Sequence, residues 1–182
     1  MNRRTFSGML VGTTASMMLG CAGRTSGPTA TFKSTEPADA SPRSSVALYR
    51  SVGEELAHYE VNVTDVTLTK RAAVMVPADV QYAWPHPSRQ YLYVTSSNSG
   101  SGASGIIGDK HRVAAYRILA GGALQAHGNP QSLPSRPIHN SVDASGTYLL
   151  IAYNNPSGVT VHRINGDGTI GEQVEQPTRL DA

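Results

Sequence analysis

The sequence predicts an all-β chain built as a partial β-propeller, with about three four-stranded blades over residues 46–182. Three observations point to it. Short runs of β-branched and aromatic residues recur from Val46 onward, each bounded by Gly, Pro, Asn or Ser. Two stretches of the chain align with each other, strand for strand and turn for turn. The 182 residues include 18 Gly and 11 Pro, breakers frequent enough to interrupt a long helical bundle. With 39% apolar and 15% charged residues the chain suits one ordinary domain. It has no run of 18 apolar residues, so no ordinary membrane-crossing helix is expected.

Residues 1–20 read as an export signal. Arg3 and Arg4 precede a mildly apolar run without acidic residues, and small residues follow. The run is diluted by Gly8, Gly12, Thr13, Thr14 and Ser16, and with Arg3-Arg4-Thr5-Phe6 it resembles a twin-arginine signal. Asn2 and Ser7 depart from that pattern. Leu19-Gly20-Cys21-Ala22-Gly23 resembles a bacterial lipoprotein box, with Met18 where Leu is usual. The resemblance implies that Cys21 is lipidated and becomes the mature N-terminus, which makes the protein a periplasmic or membrane-anchored lipoprotein. A plain signal peptide with an incidental cysteine is the competing reading. One lipid chain holds only marginally, so a stable anchor at Cys21 needs further acyl chains. As the single cysteine it forms no internal disulfide and supplies no Cys-based metal site.

Removing residues 1–20 takes away two of the 15 basic residues and none of the 13 acidic ones, leaving a formal charge of zero. No composition-level case for nucleic-acid binding survives. Residues 21–45 are rich in Ser, Thr, Pro, Ala and Gly without periodicity, and read as a flexible tether.

The repeat occupies the rest. His86-Pro-Ser-Arg-Gln-Tyr-Leu-Tyr-Val-Thr95 lies over Asp143-Ala-Ser-Gly-Thr-Tyr-Leu-Leu-Ile-Ala152, a polar turn running into an apolar strand. Val113-Ala-Ala-Tyr-Arg-Ile118 then lies over Val159-Thr-Val-His-Arg-Ile164, and Gly121-Gly-Ala-Leu124 over Asp167-Gly-Thr-Ile170. The spacing changes from 57 residues to 46 across the Gly/Ser-rich stretch Ser99 to Asp109, read as a loop insertion. A degraded third copy appears at Ala57-His-Tyr-Glu-Val61, which resembles Ala114 to Ile118. A unit of this length with four short strands is the mark of a propeller blade, which must stack on neighbours to bury both faces. A β-sandwich with accidental similarity is the competing fold.

The run from Pro137 to Asn155, then Gly158-Val-Thr-Val-His-Arg-Ile164 and Gly166-Asp-Gly-Thr-Ile-Gly171, closely resembles the lactonase family of seven-bladed propellers. That family includes the cycloisomerase-type 6-phosphogluconolactonases and the fungal carboxymuconate lactonizing enzymes. His139, Ser141, Asp143, Gly146, Asn155, Asp167 and Gly168 fit its pattern. Three blades cannot close a ring, so the resemblance leads us to expect a truncated form, its missing blades supplied by the rest of a longer chain or by another chain.

The chemistry is expected at the channel mouth, where chain enters each blade's innermost strand. Ser135 to Asn140 is such a segment. Opening a lactone calls for a base near neutrality, which His139 can supply. A positive donor for the developing oxyanion or for a substrate anion is also needed, and Arg136 suits it. The resemblance places His139 at the family's channel-facing histidine; the competing role is to hydrogen-bond the neighbouring turn. His86 aligns with Asp143 and is read as structural, His162 as packing or surface, and Trp84 as core. His58, His111 and His127 show no ligand spacing, and no dinucleotide-binding Gly motif or P-loop occurs, so neither metal nor cofactor is expected.

The function expected is metal-independent hydrolysis of a sugar-type lactone, of the 6-phosphogluconolactonase kind. A non-catalytic exported propeller that binds a protein or envelope ligand stays open, as does a muconate-type lactonizing cycloisomerase. Export disfavours a phosphorylated cytoplasmic substrate.

Overall fold

The computed structural model describes residues 45–100 and 107–175. The export segment, Cys21 and all of the tether but Ser45 lie outside the described residues, as does part of the loop from Ser99 to Asp109. Eleven strands follow one another: β1 (Ser45–Val52), β2 (Glu55–Asn62), β3 (Thr67–Met75), β4 (Val80–Pro85), β5 (Tyr91–Ser97), β6 (His111–Ile118), β7 (Leu124–Ser132), β8 (Pro137–Val142), β9 (Tyr148–Asn154), β10 (Ser157–Ile164) and β11 (Ile170–Gln173). The sole helical piece among the described residues is one 3-10 turn, Ala120–Gly122.

These strands form three antiparallel sheets in simple meander order: β1-β2-β3, β4-β5-β6-β7 and β8-β9-β10-β11. The fold is thus a partial propeller of three blades. The first sheet has three strands among the described residues where four were expected. The pairing agrees with the sequence repeat. Ala57 to Val61 lies on β2 and its match Ala114 to Ile118 lies on β6, each an interior strand with a hydrogen-bonded neighbour on either side.

The second sheet is buried on both faces. Leu92 and Val94 of β5, with Ala114 and Tyr116 of β6, pack against Leu56 of β2 and the partly buried Tyr49 and Val74 of the first sheet. On the opposite face Tyr93, Val113 and Ala115 pack against Leu149, Ile151 and Tyr153 of β9. Strand alternation does the sorting: neighbours along β5 and β6 go to different blade interfaces. Each fully buried side chain of this kind contributes about 1.5–3 kcal/mol by leaving water. The first sheet's other face carries Val46, Leu48, Leu68 and Met75 exposed.

A polar tie recurs at both interfaces. The Tyr49 hydroxyl donates to the Gly122 carbonyl at 2.7 Å, and the Tyr93 hydroxyl donates to the Gly168 carbonyl at 2.9 Å. Gly122 and Gly168 occupy matched turns and both have positive φ, +91° and +86°. A Cβ on Gly122 would approach His58 Nε2 to 2.6 Å, and one on Gly168 would run into the Tyr91 ring. Glycine is therefore required twice over at each turn, for the backbone and for the close approach of the neighbouring blade.

Candidate active site

β4 and β8 are edge strands of adjacent sheets and lie beside each other. Each carries a β-bulge at the same repeat position. Val80 pairs with Ser96 while Tyr82 pairs with Thr95, and Pro137 pairs with Tyr153 while His139 pairs with Ala152. The extra residue, Gln81 or Ile138, has no partner in the register. It turns the following side chains to the opposite side from plain alternation. Pro137 and His139 therefore fall on opposite faces although they are two apart.

Three aromatic rings meet between β4 and β8. The His139 imidazole lies over the Tyr82 ring, centroids 4.2 Å apart and planes tilted by 40°. Trp84 comes to 6.0 Å from His139, and its plane lies within 15° of Tyr82 at 6.5 Å. Trp84 is 37% exposed. The expectation that it packs in the core is therefore corrected. Its side chain alternates with that of Ala83, and it is Ala83 that packs against the apolar cluster of the first two sheets.

Of the residues predicted for the site, His139 is half-buried on β8 beside Tyr82 and Trp84. Arg136 leads into the same strand, and its Nε is buried without a hydrogen-bond partner. A buried donor left unpaired costs about 1–3 kcal/mol, so this guanidinium has unused capacity for an acceptor. Cys21 lies outside the described residues. Sequence reasoning did not select Tyr82 or Trp84. The signal was available for Tyr82, which stands 57 residues before His139, in register with it across the repeat.

The next residue, Asn140, is fully buried and clamps this segment to the second sheet, its Nδ2 donating to the Tyr93 carbonyl at 3.0 Å. Asp143 closes the turn beyond β8. It accepts from the Ser145 hydroxyl and from the backbone N–H groups of Ser145, Thr147 and Tyr148, at 3.0, 2.8 and 2.7 Å. The Ser145 hydroxyl first, then those N–H groups, holds its carboxyl down at about 2. In the preceding blade His86 has the matching role. Its Nδ1 accepts from the Ser88 N–H at 3.1 Å, and its Nε2 donates to the Gly146 carbonyl of the next blade at 3.0 Å. The structural role read for His86 thus has a concrete form.

The other histidines lie apart from β8. His111 Nδ1 meets the Ser97 hydroxyl at 2.9 Å, and His127 stacks on Tyr91 and donates to the Asp167 carbonyl at 2.8 Å. His58 is buried with neither ring nitrogen partnered, and burial pushes His162 below its usual range. Among the described residues no group of three or more His, Cys, Asp or Glu side chains is placed to hold a metal ion.

Comparison with known proteins leads in the same direction. A family model described as Lactonase, 7-bladed beta-propeller, matches residues 44–180. The chain is 36% identical over 114 residues to the 6-phosphogluconolactonase of Pectobacterium atrosepticum, covering 63% of this chain and 31% of that relative. It is 33% identical over 108 residues to the 6-phosphogluconolactonase of Cronobacter sakazakii, covering 59% and 29%. The periplasmic gluconolactonase of Pseudomonas aeruginosa superposes with a TM-score of 0.56 at 23% identity, over 72% of this chain and 37% of that one. The chain spans about a third of the length of the curated relatives it matches.

Proposed function

The chain belongs to the lactonase family of seven-bladed β-propellers, and on that premise we propose that it forms part of a hydrolase that opens a sugar-type lactone. The observation that carries this reading is the half-buried His139 on β8 beside Tyr82, in a segment whose Arg136 keeps a buried Nε without a hydrogen-bond partner.

In the reaction, water attacks the lactone carbonyl carbon and gives its proton to the neutral His139 imidazole. Negative charge builds on the carbonyl oxygen, where the Arg136 guanidinium receives it. The ring C–O bond breaks, and the departing ring oxygen takes the proton back from the imidazolium. The product is the open hydroxy acid, and atoms and charge balance without an added reactant. The names of the relatives support a lactone as substrate.

The arrangement around this site belongs to the same proposal. Residues 1–20 direct export, Cys21 carries the lipid anchor, 21–45 form the tether and 46–182 supply blades. Further blades, from more of the same chain or from another, cover the exposed Val46, Leu48, Leu68 and Met75 face of the first sheet. A periplasmic neighbour in the structural comparison fits an exported setting.

The test is lactone hydrolysis by the full chain, followed as acid release above the spontaneous rate. His139→Ala is expected to lower kcat by about 10²–10⁴, the usual share of a general base. Arg136→Gln is expected to lower it by about 10²–10³. Turnover unchanged in His139→Ala removes the catalytic assignment.

A further inference from the structure

Trp84 is the single tryptophan of the chain. An aromatic side chain of this size ordinarily contributes by burial, and this one is left 37% exposed on an inner-edge strand. It is not alone there. Tyr82, two residues earlier on the same strand, presents a nearly parallel ring, and His139 of the neighbouring blade tilts against both. The bulge at Gln81 is what puts Tyr82 on the face of the second sheet that meets the third, since Val80 packs on the other face. An exposed indole, a phenol ring and an imidazole thus lie together between the edge strands of two neighbouring blades.

A surface of this kind selects a particular ligand shape. A sugar-type lactone ring has hydroxyl groups around its rim and C–H bonds over its faces. The C–H face is apolar and flat enough to lie on an indole or phenol ring, while the rim stays free for polar partners. An aromatic shelf beside the base would hold the ring with its carbonyl edge toward His139. We infer that Trp84, supported by Tyr82, is a positioning residue that seats the C–H face of a polyhydroxylated lactone ring beside His139. This rests on the lactone reading given above and adds to it the region of the molecule that recognises the sugar.

The experiment uses the emission of Trp84 in the full chain, which needs no variant to report. The probe is gluconolactam, in which a ring N–H replaces the ring oxygen so that the ring resists opening. δ-Valerolactam, a six-membered ring without hydroxyl groups, is the control. A saturable emission change with gluconolactam and a much weaker response to δ-valerolactam are expected. Trp84→Ala is expected to raise KM for gluconolactone about three- to tenfold, the range of one aromatic contact, with kcat nearly unchanged. Trp84→Phe, which keeps an aromatic face, is expected to recover most of the loss.

Emission unchanged by gluconolactam overturns the inference, whether or not the lactone is turned over. An equal response to δ-valerolactam also overturns it, because the hydroxylated ring is then not what the surface recognises. Lactone hydrolysis with KM unaffected by Trp84→Ala leaves the hydrolase reading standing and removes Trp84 from it. A saturable gluconolactam response without any lactone turnover does the reverse.

Discussion

Replacing Tyr93 by Phe removes one oxygen and keeps the ring that packs against Leu149 and Ile151. Tyr93 is fully buried, and its hydroxyl donates at 2.9 Å to the carbonyl of Gly168, itself a buried residue. Burial first, with a smaller effect of Tyr91, pushes the phenol well above its ordinary range, so it stays a donor throughout the working pH range. The loss leaves the Gly168 carbonyl without its donor, and the dry blade interface offers no ready substitute. We expect Tyr93→Phe to cost about 1–2 kcal/mol. Tyr49→Phe removes the matching bond to Gly122, also buried, but from a tyrosine that is only partly buried, and is expected to cost about 0.5–1 kcal/mol. The two ties lie on opposite faces of the second sheet, so the double variant is expected to sum the singles within about 0.5 kcal/mol. For the roughly 125 described residues, an unfolding entropy of about 2.1 cal/mol/K per residue turns 1–2 kcal/mol into a Tm drop of about 4–8 °C. Urea unfolding of the full chain followed by circular dichroism measures it. A Tyr93→Phe loss below about 0.5 kcal/mol, or one smaller than that of Tyr49→Phe, would refute the idea that the buried tie locks the blades together.

Two further outcomes are expected. Burial lowers the His162 pKa, so the unfolded chain binds the proton more readily than the folded one. Its contribution is complete above the unfolded value of about 6.5 and is lost as pH falls below that value toward the depressed folded one. Urea midpoints at pH 7.5 and 5.5 should therefore converge in His162→Phe, and a full acid-side loss in that variant would assign it to other groups. Gly168→Ala places a side chain at φ +86° against the Tyr91 ring. The backbone alone is expected to cost about 1–2 kcal/mol, read as a lower urea midpoint; an unchanged midpoint would mean that the turn readily rearranges.

Local pattern was enough to read the kind of elements and their recurrence. Alternating β-branched and aromatic runs encode strands because side chains on a strand alternate between faces. The aligned Gly121-Gly122 and Asp167-Gly168 positions encode matched turns because glycine takes the positive φ that each requires. Val113 to Ile118 and Val159 to Ile164 accordingly form β6 and β10, and His139 and Arg136 were legible as candidates from the motif around them. Which side chains meet was set by the packing of strands and blades. Trp84 reads as core from its apolar size, yet the alternation on β4 gives the apolar cluster to Ala83 and leaves the indole beside His139. The face that Tyr82 and Trp84 take depends on a bulge, which exists only in the pairing of β4 with β5. The Tyr49–Gly122 and Tyr93–Gly168 ties, 73 and 75 residues apart, are equally beyond local pattern. A strand's own residues fix which way each side chain points relative to its neighbours; the register of the partner strand and the stacking of the next blade fix what it points at.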